Sequence, residues 1–403
     1  FATAGHPYSF DPSHADIADR RLLTGRVRYH GDEVAIVVAR DRLTAAKAVG
    51  LIQVEYEEYP VVVSAPTALA ADTPPIHEGG NLIKSHQFEV GGELKKAFEK
   101  ADAIVESDYK TPITWHCHME NHSAYAYMDD MEHIVVVSST QIPHICRRIV
   151  GEALDIPWGR VRVGKPDIGG GLGHTQDVSH EPMGACLTKK MGGSPVKLEL
   201  PREECIIGTR TRHSTRIRNR AAATGDGFLK GLDIECVSNT GAYASHGHAI
   251  MGAACSKSCN LYPRSVIKVK ATTHYANIPA AGAMRAYGSP QIIFGIECIV
   301  EEAARAIGMD PVDFRLKNVA RQGDVNPLNK KEILSCALVE CLEKGRELIR
   351  WDEKKKAYQN QVGDVRRGLG VACFSYGSGT YPACVEISGA RLILNQDGSV
   401  HLQ

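Results

Sequence analysis

Five short stretches carry residue types that can do chemistry. The first is Gly169-Gly170-Gly171-Leu172-Gly173, between a strand pattern and a helix pattern. Glycines let backbone amides approach an anion or a metal-bound oxygen with no side chain in the way, and a helix start adds partial positive charge. The spacing is neither G-x-G-x-x-G nor a phosphate loop ending in Gly-Lys-Ser/Thr. A bare glycine-rich turn is more often a connector. The second stretch is Ala280 to Gln291, where small residues surround Met284, Arg285 and Tyr287. An arginine there suits a phosphate or carboxylate, and an aromatic suits a planar ligand; an ordinary loop with a local cap reads equally well. The third is Ser138-Ser139-Thr140-Gln141, whose glutamine alone means no more than a turn. The fourth, His116-Cys117-His118-Met119-Glu120-Asn121-His122, has metal-ligand spacings but lacks a matching second Cys/His pair. The fifth, Arg210-Thr211-Arg212-His213, reads as solvated or phosphate-facing.

The elements that must position these residues follow from periodicity. Residues 20–60 read as a compact α/β unit, with strands at Val34–Ala39 and Ile52–Tyr56 around a helix at Thr44–Leu51. Residues 61–95, rich in Pro and Gly, read as a linker. Ile134–Ser138 is a β-branched strand, and Pro143 suits the first turn of the helix after it. Val161–Val163 is a strand leading into the glycine loop. Asp177 is expected to open a helix with Met183, Leu187 and Met191 on one face. Pro195–Leu200 is a further strand, and Gly225-Asp226-Gly227 joins two strands as a hairpin. Ser289-Pro290 is expected to cap a long helix to Ile307, and Asp310-Pro311 to cap the next. Arg391–Leu394 and Val400–Leu402 form a last hairpin. The alternation has no clean βαβ rhythm, so the fold class is α+β, that is, mixed α/β.

Bulk properties narrow the classes. The 403 residues suffice for two or three domains. Lysine plus arginine and aspartate plus glutamate both number 47, and no basic block occurs, which argues against nucleic acid or an anionic membrane as partner. No apolar run approaches the roughly 20 residues that span a bilayer. The 12 cysteines are scattered, with neither a disulfide framework nor ferredoxin spacing. Free thiols in a reducing cytoplasm are the expectation, and any iron–sulfur cluster belongs on another chain.

Taken in order, these stretches resemble the molybdenum hydroxylase family of the xanthine dehydrogenase type, specifically its bacterial molybdenum-binding subunit. Gly25 to Ala35 is similar to the α/β hammerhead domain, and Ser139-Thr140-Gln141, residues 169–173, Ser238 to Tyr243 and Gly282 to Arg285 are similar to the family's cofactor segments. The resemblance implies a hammerhead domain over 1–85 that is N-terminally incomplete, a first cofactor-binding domain over 86–335, and the incomplete start of a second over 336–403. It implies that Gln141 bonds the apical oxo ligand of molybdenum, and that Gly170, Gly171, Leu172 and Gly173 contact the metal's ligands and the pterin. Ala283, Met284 and Arg285 would lie beside the metal, with Gln141 and Arg285 in catalytic roles. Molybdenum would be held by the pterin, with no protein ligand.

The resemblance further implies hydroxylation of a purine or related N-heterocycle with water-derived oxygen, using molybdenum–molybdopterin cytosine dinucleotide. A 2Fe-2S subunit, an FAD subunit and the remainder of the molybdenum subunit would be partners. An aldehyde- or nicotinate-oxidising member and a non-catalytic cofactor-binding or assembly fragment are the alternatives. The chain departs from the family where Leu172 replaces phenylalanine and where His174-Thr175-Gln176 replaces Gly-Lys-Glu. Gln176 and Tyr287 are expected near the substrate. Ala253 aligns with the arginine that orients purines, for which Lys257 could substitute if it points inward. The family's glutamate base sits in a Gly-Glu-Pro-Pro context absent from these residues, so it is expected outside this chain.

Overall fold

The computed structural model describes residues 7–8, 17–377 and 389–403. A five-stranded sheet runs in the spatial order Leu82–Val90, Val266–His274, Leu229–Asn239, Ser214–Ala223, Ala103–Thr111. Only the pairing of Leu229–Asn239 with Val266–His274 is parallel. Strand Ser214–Ala223 alternates: Ile217 and Ala221 are buried, while Arg216 and Arg218 point out and pair with Asp108 and Glu106 on the neighbouring strand. The buried face receives helices Gly247–Leu261 and Ser289–Ala306, so Ile217, Ile234 and Val269 pack against Met251, Ile292, Ile296 and Val300. That stripe is the one expected from four-residue spacing.

A second sheet, in the order Val161–Gly164, Ile134–Ser138, Ser123–Met128, Val196–Glu199, carries helices Pro143–Leu154 and Glu181–Lys190. Val136, Ile149, Val150 and Met183 build its separate core.

Four expectations fail for physical reasons. Residues 34–39 and 52–56 form no strand, since none of the described segments pairs with them. Only the helix between them forms, at Arg42–Val49, capped by Asp41. The stretch read as a linker contains Leu82–Val90, a full edge strand whose register depends on a partner some 180 residues away. Asp177 opens no helix: its carboxylate is drawn to Ser245 and Arg210, and the helix starts at Glu181 with Pro182 in its first turn. Ser289 is inside its helix rather than capping it, and Gly288 at φ 87° takes the cap position. Asp310 does cap its helix, accepting from Val312 and Asp313.

Candidate active site

Loops leaving the two sheets bring the first three stretches together. Gln141 ends the turn between strand Ile134–Ser138 and helix Pro143–Leu154. Its backbone N–H donates to Thr175 O at 3.0 Å, which ties it to the segment following the glycine loop. Its side-chain Oε1 accepts from the Gly173 amide at 3.2 Å and from the Thr175 hydroxyl at 2.9 Å. Both partners are donors, so the amide orientation is set by the network, and the Nε2 donors are left for a ligand. Gly171 is a tight fit in this arrangement, since a Cβ on it would lie 2.6 Å from Thr175 Oγ1 and 2.8 Å from Gln141 Oε1.

The arginine loop packs directly on the glycine loop. Arg285 N–H donates to Leu172 O at 2.8 Å, and a Cβ on Gly173 would stand 3.0 Å from Ala283 O. The same loop is pinned from behind. Gly282 N–H donates to Thr211 O, His116 Nε2 lies 2.7 Å from Ala283 O, and the Arg212 guanidinium donates to Arg285 O at 2.8 Å. Ala281 N–H donates to Thr240 O, so the Ser238–Tyr243 stretch acts as a backing strut. Leu172, Ala286 and Tyr287 all have positive φ, at 52°, 73° and 43°. Such backbone costs about 1–3 kcal/mol per residue and persists only where surroundings impose it, which clusters at functional sites.

Between these loops lies a cavity of about 810 Å³. Gln141, Leu172, Gly173, Gln176, Ala283, Met284, Arg285 and Tyr287 line it, as do Phe294, Phe374 and Tyr376, which sequence did not single out. Gly170 and Gly171 are not among the lining residues, and Gly170 packs against His118 instead. Lys257 is not among the lining residues; its Nζ lies where a Cβ on Gly377 would come within 2.8 Å. Ala253 is on helix Gly247–Leu261 and does not line the cavity either.

Tyr287 is held by a second network. Its hydroxyl is 2.9 Å from His246 Nδ1, and His246 Nε2 faces the Gln176 carbonyl at 3.2 Å and the Asp177 carboxylate at 3.7 Å. Nε2 faces acceptors, so it carries the ring proton, and Nδ1 accepts from the tyrosine. Asp177, fully buried, also accepts from Ser245 at 2.8 Å and lies 3.5 Å from Arg210. Arg210 thus faces a carboxylate, not solvent.

The sequence profile of the molybdopterin cofactor-binding domain matches residues 76–319, and that of the aldehyde oxidase and xanthine dehydrogenase a/b hammerhead domain matches residues 4–60. This chain belongs to the molybdenum hydroxylase family. It is 53% identical over 403 residues to the putative xanthine dehydrogenase molybdenum-binding subunit of Escherichia coli (strain K12), covering 100% of this chain and 54% of that one. It is 34% identical over 326 residues to the nicotinate dehydrogenase large molybdopterin subunit of Eubacterium barkeri, covering 81% of this chain and 76% of that one. The solved aldehyde oxidoreductase of Desulfovibrio desulfuricans ATCC 27774 shares the fold, with a TM-score of 0.88 at 24% identity over 99% of this chain and 45% of that chain. The chain thus spans about half the length of the Escherichia coli relative.

As a member of a molybdenum hydroxylase family, the chain has to accommodate a pterin cofactor, and its residues fit one. The two glycine positions are cradles that a Cβ would fill, the Gln141 amide is oriented with no acceptor for its Nε2 among the described residues, and the cavity has an apolar and aromatic wall. Among the described residues, no helix is long and apolar enough to cross a membrane, and every cysteine is a free thiol.

Proposed function

We propose that this chain forms the cofactor-binding half of a molybdenum hydroxylase that acts on a purine or a related N-heterocycle. The single observation that carries the reading is the Gln141 amide, fixed by Gly173 and Thr175 at the wall of the 810 Å³ cavity. When bound, molybdenum–molybdopterin cytosine dinucleotide would supply the two-electron redox centre. The chain's residues would do the rest. Gln141 Nε2 would donate to the oxo group, a preorganised dipole that needs no reorganisation during reaction. Backbone at Gly171, Leu172 and Gly173 would hold the metal's ligands and the pterin, with Gly170 behind. Ala283, Met284 and Arg285 would border the metal, the Arg285 cation favouring negative charge there. Leu172, Phe294, Phe374 and Tyr376 would exclude water and stack on a planar ring. The anchored Tyr287 hydroxyl, already donating to His246, would offer its oxygen to a substrate N–H, with Gln176 beside it.

In this reading the general base is a glutamate outside these residues, a 2Fe-2S subunit and an FAD subunit take the electrons, and the complex is cytoplasmic. The purine assignment is supported by the name of the 53% identical relative. Nicotinate is the second reading, favoured by the 34% identity to a nicotinate dehydrogenase subunit and by Ala253 in place of an arginine. Steady-state kcat/KM of the purified complex across xanthine, hypoxanthine, nicotinate and benzaldehyde separates them. A purine should lead; preference for benzaldehyde or nicotinate rejects the assignment.

A further inference from the structure

The fourth stretch found in the sequence gains in space one further histidine from a distant part of the chain. His118 and His122 meet His174, which directly follows the glycine loop, with ring centroids 4.2 Å apart for His122–His174, 5.0 Å for His118–His174 and 5.2 Å for His118–His122. One ring nitrogen of each lies within 4.8 Å of the other two. All three side chains are buried, and none lines the cofactor cavity.

Two further observations point to a ligand. Among the described residues neither nitrogen of His122 has a hydrogen-bond partner, and the residue is only 6% exposed. A buried polar group left unsatisfied costs about 1–3 kcal/mol, and one of these nitrogens belongs to the cluster. Beside them is a cavity of about 10 Å³, lined by His118, His122, His180 and Glu181 among others, which is room for about one water. The His118 ring is already set for ligation. Its Nδ1 lies 2.5 Å from the Glu120 carbonyl, so the proton sits there and the Nε2 lone pair faces the cluster.

We propose that His118, His122 and His174 bind one divalent transition-metal ion, Zn²⁺ by donor type, at a site separate from the molybdenum cofactor. Three imidazoles are the donor set of a four-coordinate zinc site whose fourth position is open to water, whereas calcium and magnesium require oxygen ligands. Without the ion, His174 Nε2 accepts the Arg210 amide at 2.9 Å, so His174 Nδ1 carries the proton it shares with His118 Nε2 at 3.0 Å. The ion takes that proton's place, and His174 keeps its ring proton by moving it to Nε2, which gives up the Arg210 amide bond. The bound ion clamps residues 118–122 to the segment that carries Gly173 and Thr175, the two groups that orient Gln141.

The test uses the full-length protein in its assembled complex. It is stripped with a chelator, dialysed against Zn²⁺ alone, and measured for zinc, molybdenum and protein by elemental mass spectrometry. About one zinc per chain is expected. His122→Ala should lose zinc at least tenfold while its circular dichroism stays native. Should that variant fail to fold, Co²⁺ in the wild-type protein decides, since a tetrahedral site gives an intense visible band. Wild-type protein that takes up no zinc and shows no such cobalt band overturns the proposal, as does unchanged zinc in a folded His122→Ala.

Discussion

Replacing Gly173 with alanine adds one carbon against the neighbouring loop. Gly173 sits at φ +98°, where an L residue costs about 1–2 kcal/mol. Its new Cβ would meet Ala283 O at 3.0 Å, and Ala283 C and Met284 Cα at 3.1 Å. All three are backbone atoms pinned by Thr211, His116 and Arg212, so none can rotate aside. Overpacking of this kind adds about 1–3 kcal/mol. The sum, about 2–5 kcal/mol, shifts the closed arrangement of the two loops by roughly 30-fold to several thousand-fold, at 1.4 kcal/mol per factor of ten. The damage is local, because the bonds at stake are Gly173 N–H to Gln141 and Arg285 N–H to Leu172. Molybdenum content per chain of the purified complex is the assay, alongside a thermal melt. Molybdenum should fall at least tenfold with a cooperative melt retained. Gly159→Ala, with nothing near its Cβ, should load normally. A Gly173→Ala protein with wild-type loading and melting would refute the reasoning and make the loop a connector.

Gln141→Ala should lower kcat per bound molybdenum by about 10²–10³-fold, the usual effect of removing one preorganised donor; unchanged turnover per molybdenum contradicts the role. Arg315→Met should cost about 3–5 kcal/mol in a denaturant melt, because Arg315 is buried at 2.9 Å from Glu297, whose charge is left behind; a loss under 1 kcal/mol would count against that pairing. His213 is fully buried, and burial holds its ring down to about 3, so it stays neutral in the fold while the unfolded chain binds a proton below about 6.5. Stability should therefore fall as pH drops from 6.5 towards 3, by on the order of 4 kcal/mol from this group, and His213→Asn should flatten that slope in chemical melts across the range; an unchanged slope contradicts it.

What was legible in the sequence is what depends on near neighbours. Pro143 marked the start of its helix, Asp310 capped its own, and the Ile292–Ile296–Val300 stripe pointed to the buried face. Gln141, the 169–173 loop and Arg285 were readable as a set through the order of the stretches, and they do meet at one cavity. The groups that orient them were not. Thr175 looks like any threonine until its hydroxyl is seen at 2.9 Å from Gln141 Oε1. Asp177 has the type and spacing of a helix cap, but the tertiary charge of Arg210 and the Ser245 hydroxyl outcompete its own helix. Phe374 and Tyr376 reach the cavity from a segment with no periodic pattern. His174 joins His118 and His122 across 52 residues or more, a closure that the folding of the glycine loop supplies and no spacing rule encodes.

Anomalous diffraction at the molybdenum absorption edge, recorded from crystals of the cofactor-loaded full-length protein, bears on the central claim most directly. The account predicts one molybdenum peak within the cavity bounded by Gln141, Leu172–Gly173 and Arg285, with the Gln141 amide facing it. A molybdenum peak outside that cavity, with these loops in contact with no part of the cofactor, would contradict it.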